Sequence, residues 1–259
     1  MKEEVDGIVT EDKVTSDSSV ATGVKTATPI EQKKTKEKID EDKIITEFPP
    51  DMFDIKKKPV YDFFKRLIDI IISAIAIVVI FPFGLILAIV IVCDSPGESP
   101  IFVQKRVGKF GKKFKLYKFR TMIPGAEDML DELEEQNEME GNAFKMKDDP
   151  RITRVGKIIR KISVDELPQF LNVFLGNMTI VGPRPPIIKE VAKYADNEKI
   201  RLTIKPGLTC YWQTMPKRND LTFEEWVALD VKYINERSVW TDIKIFFKTF
   251  GAIFGAEGR

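Results

Sequence analysis

From Ile70 to Cys93 the chain reads IIISAIAIVVIFPFGLILAIVIVC, without a single charge. A bilayer core needs about 20 apolar residues to be crossed as a helix, so this stretch is long enough to do so. It constrains everything around it, because no water-soluble fold leaves such a run uncovered. Pro82 falls in its middle, where it removes the hydrogen bond to the Val78 carbonyl and bends a helix. Lys56 to Lys58, Lys65 and Arg66 precede the run, while Lys105, Arg106, Lys109, Lys112, Lys113, Lys115, Lys118 and Arg120 follow it. Positive charge on both flanks suits two ends on the same side of a membrane. The expectation is a re-entrant helix that dips into one leaflet and returns, bent at Pro82. On composition alone, an ordinary kinked transmembrane helix stays open.

The residues before this run are of a different kind. Residues 1 to about 47 are dominated by Lys, Glu, Asp, Thr and Ser with little periodic apolar content, so they read as a disordered polar tail. They do not read as a signal peptide, because the apolar region lies far from the first residue. Over the whole chain 41 basic residues balance 40 acidic ones, which gives no bias toward nucleic acid. Two cysteines, Cys93 and Cys210, have neither disulfide nor metal-ligand spacing. The chain has no histidine, so acid, base or nucleophilic chemistry must fall to carboxylates, Lys, Tyr, Ser or Cys.

The densest chemistry lies between Arg160 and Pro186, RKISVDELPQFLNVFLGNMTIVGPRPP. Ser163 and Glu166 have capping-box spacing, and Leu167, Phe170, Leu171 and Phe174 follow at helical spacing. Asp165 and Glu166 are thereby expected near a helix start, where free amides and the helix dipole favour negative charge and attract phosphate. Pro168 lacks the amide proton needed beyond a first turn and delays such a start. Acidic residues are also common in first helical turns with no further role. Gly176 and Asn177 close the helix, and Met178 to Val181 reads as a short buried strand. In the turn Gly182-Pro183-Arg184-Pro185, prolines flank Arg184 and hold its guanidinium fork, as bidentate phosphate recognition requires.

Elsewhere, Ile101 to Gln104 and Phe114 to Phe119 read as strands around a Gly- and Lys-rich turn. Glu127 to Glu140 reads as a solvated acidic helix. Asp148-Asp149-Pro150 reads as a turn before a helix with Ile152, Val155, Ile158 and Ile159 on its apolar face, which carries Arg160 toward the site. Thr222 with Glu225 caps a helix bearing Trp226, Asp230 and Tyr233. Trp240, Ile243, Phe246, Phe247, Phe250 and Phe254, with Lys244 and Lys248, form an interfacial amphipathic helix, an ordinary core helix being the alternative.

Asp165-Glu166 followed by Gly182-Pro183-Arg184-Pro185 resembles the core of the bacterial sugar transferases, the monotopic phosphoglycosyl transferases. Lys65-Arg66-x-x-Asp69-x-x-x-Ser73, Gln104-x-Arg106-x-Gly108, Tyr117 to Met122, Lys205 to Thr209 and Trp212-Gln213 resemble further motifs of that family in the same order. The resemblance runs from about Lys65 to the C-terminus. It implies an α+β fold, a compact cytoplasmic catalytic domain with a proline-broken re-entrant membrane helix and interfacial amphipathic helices. The chain then divides into a tail (1–58), the membrane helix (59–94) and the catalytic domain (95–259). The implied activity is transfer of a sugar 1-phosphate from a nucleotide sugar, a UDP sugar first, to polyprenyl phosphate at the cytoplasmic face of a bacterial inner membrane. Asp165 is then the nucleophile, and Glu166 its catalytic partner. Both carboxylates hold Mg²⁺, and Arg160, Arg184, Lys118, Arg120 and Gln213 contact the phosphates or the nucleotide sugar. Partners are the nucleotide sugar, polyprenyl phosphate, the membrane and a homodimer, with no nucleic acid. Phe81, Asn177 and the loop Thr214 to Lys217 depart from the family's pattern. A glycosyltransferase moving only the sugar and a non-catalytic membrane adaptor are the alternatives; neither a G-x-G-x-x-G nor a G-x-x-x-x-G-K-[ST] loop is present to support the first.

Overall fold

One helix, α1 (Pro59–Asp94), takes in the whole apolar segment and its basic approach. Pro59 opens it, where a missing amide proton costs nothing, and the chain leaves it through Ser95 and a left-handed Gly97. Pro82 lies inside the helix, which continues through it. In place of two half-helices parted by a break there is one element, since a single absent hydrogen bond bends a helix without ending it. The computed structural model describes residues 41, 44, 46–129, 133, 146, 148–215 and 220–254. The tail over residues 1–40, most of the acidic segment Glu127–Glu140, the Phe254 side chain and Pro216-Lys217 of the departing loop lie outside the described residues.

The strands after α1 form a hairpin, β1 (Ile101–Val107) with β2 (Lys113–Phe119), paired antiparallel from Ile101↔Phe119 to Val107↔Lys113. The tail's end is ordered against its turn. The Thr46 hydroxyl donates to the Gly111 carbonyl at 2.6 Å, and Phe48 sets its ring edge-on to Phe110. A Cβ on Gly111 would lie 1.9 Å from the Thr46 carbonyl oxygen, and φ there is +79°, so only glycine fits. Ile44 and Phe48 also pack on the core formed by Val107, Ile188, Val191, Tyr194 and Leu202. Two apolar residues in a polar stretch carry no period, which is why this strap reads as tail.

Thr153 caps α2 (Arg154–Lys161) by accepting the Gly156 amide. Of the apolar face expected on α2, Ile159 is buried but Ile158 is 65% exposed. Helix α3 begins at Gln169 and ends at Leu175, with Pro168 at its N-cap and a left-handed Gly176 closing it. The expected cap at Ser163 does not form: Ser163 is left-handed (φ 55°), its side chain caps nothing, and Val164–Glu166 is a single 3₁₀ turn. The missing Pro168 amide pushes the helix past Asp165. Of the apolar residues its pattern indicates, Leu167 and Phe170 are half-buried but Leu171 and Phe174 are exposed, while Gln169, Asn172 and Val173 face inward.

Strand β3 (Thr179–Val181) pairs parallel with β4 (Gly207–Thr209). Between them run a short helix, α4 (Ile188–Val191), and a 3₁₀ segment. Helix α5 (Phe223–Glu236) carries the full Thr222–Glu225 capping box, as its sequence indicates. In α6 (Val239–Phe254), Ile245 is buried while Trp240, Ile243, Phe247 and Phe250 are exposed. Mixed helix and sheet make the class α+β. The central core joins Leu116 of β2, Val173 of α3, Ile180 and Val181 of β3, Tyr233 of α5 and Ile245 of α6. Helix α1 meets this body at both ends, through Ile72 beside that core and through Leu87 and Ile91 in a second cluster with Phe119 and Ile159.

Candidate functional site

Asn172 sets the geometry from which the site follows. It is fully buried, accepts the Tyr117 amide at 3.1 Å and donates to the Lys115 carbonyl at 2.6 Å. One amide side chain thus satisfies the free edge of β2 as a third strand would, and fixes α3 against it. The next residue along that strand is the half-buried Lys118, whose Nζ lies 2.9 Å from Glu166 Oε1 and 3.9 Å from Asp165 Oδ2. Asp165 is 3% exposed, and Val164 and Leu167 pack beneath it with Phe119 and Ile159. The carboxylates expected at a helix start therefore sit on a 3₁₀ turn, where the Lys118 ammonium takes the part assigned to the helix dipole.

The second half of the site is the turn after β3. Gly182 and Gly207 cross so closely that a Cβ on Gly207 would fall 2.1 Å from the Gly182 nitrogen. The Gly207 amide donates to the Pro183 carbonyl at 2.8 Å, and the Gly182 amide to the Thr209 carbonyl at 2.9 Å. The Lys205-Pro206-Gly207 stretch is thus used, through its backbone, to lock the turn that presents Arg184. Arg184 is half-buried. Arg106 supports the turn from the other side: its Nη1 donates to the Pro185 carbonyl at 3.1 Å and its Nε to Gln104 Oε1 at 2.9 Å. Burial, then the Arg184 charge, lowers the Arg106 pKa to about 10, with Glu190 and Glu166 opposing. The two guanidiniums lie within each other's field, which favours a dianion between them.

The other residues picked from the sequence lie further out. Arg160 lies in the last turn of α2; its carbonyl accepts the Ser163 amide at 3.0 Å, which shapes the approach to Asp165. Its charge also acts on Asp149, whose burial raises the carboxyl pKa but whose hydrogen bonds from Arg151 prevail and hold it below the usual range. Arg120 is engaged after α1, pairing with Glu98 and donating to the Ser99 carbonyl at 2.7 Å. Gln213 lies in a 3₁₀ turn, where its backbone amide bonds the buried Cys210 thiol. Burial drives that thiol upward, and the nearby Arg184 charge opposes the shift. Lys118, Asp165 and Glu166 are thus in contact and Arg184 lies within the field of Arg106, while Arg120 is held by Glu98 and Ser99 and Gln213 lies in its 3₁₀ turn. Reading the sequence for chemistry missed Arg106 and Asp69. For Arg106 the signal was present, because strand alternation puts it on the Gln104 face of β1.

An acidic pair against an ammonium, facing paired guanidiniums, suits phosphorylated compounds, and α1 is long and apolar enough to cross a membrane. Fold and site together define a membrane-associated protein with a site suited to phosphate groups. The bacterial sugar transferase family matches residues 60–256, and the chain belongs to that family. It is 49% identical to the galactosyl transferase CpsE of Streptococcus agalactiae over 62% of this chain and 36% of that protein. It is 39% identical to an undecaprenyl-phosphate galactose phosphotransferase of Salmonella typhimurium, over 76% of this chain and 41% of that protein. The exopolysaccharide production protein ExoY of Sinorhizobium fredii is 38% identical over 78% of this chain and 90% of its own length. The chain therefore spans less than half the length of the first two relatives and nearly all of the third.

Proposed function

We propose that this chain transfers a sugar 1-phosphate from a nucleotide sugar, a UDP sugar first, to undecaprenyl phosphate, as a membrane step of polysaccharide assembly. The observation that carries this reading is the buried Asp165 held beside Glu166 and Lys118 in a chain without histidine. Asp165 attacks the sugar-bearing phosphorus; the bond from that phosphorus to the bridging oxygen breaks, and the nucleoside monophosphate leaves with the electron pair. The lipid phosphate oxygen then attacks the same phosphorus, releasing the Asp165 carboxylate and forming the polyprenyl diphosphate sugar. Lys118 shields the two carboxylates from each other, and Arg184 with Arg106 and Arg160 neutralises the phosphates.

Among the described residues no three His, Cys, Asp or Glu converge as metal ligands. Asp165 and Glu166 nevertheless fit Mg²⁺, which keeps several waters and needs only one or two carboxylates beside substrate phosphate. Bound there, Mg²⁺ supplies charge neutralisation to the transferring group. Gln213 and Arg120 are assigned to the nucleotide-sugar side.

Helix α1 supports a monotopic placement at the cytoplasmic face of the inner membrane. Ser73 is buried on one side of Pro82, and a Cβ on Gly84 would meet Phe119 on the other. The ten residues between them would reach only about 15 Å, half the bilayer's hydrocarbon thickness. The exposed apolar residues of α3 and α6 continue this surface. Second copies of the chain are natural partners at such a surface.

The test is a panel of nucleotide sugars with undecaprenyl phosphate in lipid nanodiscs. Release of the nucleoside monophosphate is the expected result; release of the diphosphate marks transfer of the sugar alone, and no turnover marks an adaptor. Cysteine labelling tests topology: residue 56 and residue 112 should react from the same side of the membrane, and reaction from opposite sides would replace the re-entrant arrangement with a spanning helix.

A further inference from the structure

Helix α1 grips the chain on both sides of the site, and it does so with charged side chains in a place where an anchor needs only apolar ones. Arg66 donates from Nη1 to the Val173 carbonyl at 2.7 Å and from Nη2 to the Phe174 carbonyl at 2.8 Å. These are end carbonyls of α3, the helix that follows the Asp165 turn, where carbonyls run out of amides further along the helix; the Val173 carbonyl also accepts the capping Gly176 amide at 3.0 Å. One turn further along α1, Asp69 is 4% exposed and uses both oxygens on β3: Oδ2 accepts the Thr179 hydroxyl at 2.6 Å and Oδ1 the Ile180 amide at 3.0 Å. Strand β3 runs directly into Gly182 and Arg184. Toward the other end of α1, Leu87 and Ile91 pack with Val164 and Leu167, the residues on either side of Asp165-Glu166.

A carboxylate on a membrane-associated helix is costly unless every lone pair is used well. Its two bonds to successive residues of one strand fix that strand in position and direction. The Arg66 fork does the same for α3, because two parallel bonds define an orientation where one does not. The α3 and β3 ends so held are joined by Gly176 to Met178 alone, and each leads to one half of the site.

We propose that Arg66 and Asp69 are positioning residues for the transfer reaction, setting the Asp165 turn and the Arg184 turn at their working separation when α1 is docked. This rests on the reaction proposed above. It makes the membrane helix part of the active-site scaffold as well as the anchor. Loss of the grip should lower turnover more than donor affinity, since near-attack geometry is far more sensitive to misplacement than binding is.

The experiment compares full-length wild type, Asp69→Leu, Asp69→Asn and Thr179→Val in lipid nanodiscs. It reads kcat and donor KM with whichever nucleotide sugar the panel identifies, and amide hydrogen exchange. Asp69→Leu keeps the branching at Cγ but removes both acceptors, which strands the Ile180 amide and Thr179 hydroxyl, so kcat should fall at least about tenfold. Donor KM should stay within about twofold of wild type, the signature of an interaction needed in the transition state. Asp69→Asn should recover most of the rate, because its amide oxygen still accepts from Ile180 and its NH₂ can donate to the Thr179 oxygen. Amides of Ile180 to Gly182 should exchange faster in Asp69→Leu while those of α2 stay unchanged. Wild-type kcat in Asp69→Leu, or an Asn variant as slow as the Leu variant, overturns the proposal. If Asp69→Leu does not fold, Thr179→Val decides: kcat reduced about threefold at unchanged KM supports the grip, and wild-type kcat overturns it. If wild type turns over no donor, the reaction assigned above fails, and exchange alone judges the grip: faster exchange at Ile180 to Gly182 upholds it and unchanged exchange sinks it.

Discussion

The two turns that make up the site are held by opposite means. The Arg184 turn is a backbone construction: two prolines fix its dihedrals, and the Gly182–Gly207 crossing leaves no room for a side chain. The Asp165 turn is a side-chain construction: a left-handed Ser163 leads into three 3₁₀ residues whose position depends on Lys118, on Val164 and Leu167 in their cluster, and on Asn172 behind β2. One turn is thus fixed by its backbone and the other by the side chains packed around it. In the proposed reaction Asp165 must move onto phosphorus and back, whereas the proposed phosphate clamp works best when it does not move at all.

The comparison is broken most severely by Asp165→Asn, which keeps shape and removes the anionic oxygen. Transfer should fall at least about a thousandfold, as loss of a nucleophile does elsewhere. With lipid acceptor withheld, mass spectrometry should find a phosphosugar adduct on Asp165 in wild type and none in the variant. A near-wild-type rate in Asp165→Asn would point to direct attack by the lipid phosphate in a ternary complex.

Gly207→Ala attacks the backbone construction. Its Cβ would meet the Gly182 nitrogen at 2.1 Å, with no flexible atom to give way. Overpacking of this kind costs about 3 kcal/mol, which denaturant unfolding would register as a lowered midpoint. Arg184→Lys leaves the turn intact but gives up the bidentate fork. Loss of a charge-assisted pair should reduce kcat/KM by about thirtyfold while the unfolding midpoint stays put. If that variant is nearly as active as wild type, a point charge suffices at this position.

The mildest change is Ser163→Gly. A non-glycine residue at φ 55° carries backbone strain, so glycine should be neutral or stabilising by at most about 1 kcal/mol. A destabilised Ser163→Gly would mean that the serine side chain, and not its backbone, is what the turn needs.

What was legible in the sequence follows the same division. The Pro-Arg-Pro turn, the Thr222–Glu225 box and the hairpin are local, so their residues state their conformation. The Asp165 turn is not local. Ser163-x-x-Glu166 carries a capping pattern, but Pro168 withholds an amide and moves the helix start to Gln169. The apolar residues of α2 and α3 misled for another reason. Periodicity identifies residues that avoid water, and in a protein with a membrane-associated helix the alternative to water is not always the protein core. Ile158, Leu171 and Phe174 are exposed on the protein surface, where on the proposed membrane placement lipid covers them. Asp69 went unread as a working residue because nothing near it in sequence bonds its side chain; both its partners lie over a hundred positions away.

The parallel pairing of β3 with β4 has a consequence for the order in which the protein comes to life. Thr179 must wait for Gly207 to be synthesised before its strand can pair, and parallel partners gained across a long connection are slow to form. On the ribosome, α1, the hairpin and the Asp165 turn are all available before the Arg184 turn can be locked. A nascent chain halted between Val181 and Gly207 therefore holds the Asp165 turn without a locked Arg184 turn, so on the proposed reaction it should settle at the membrane while still inert.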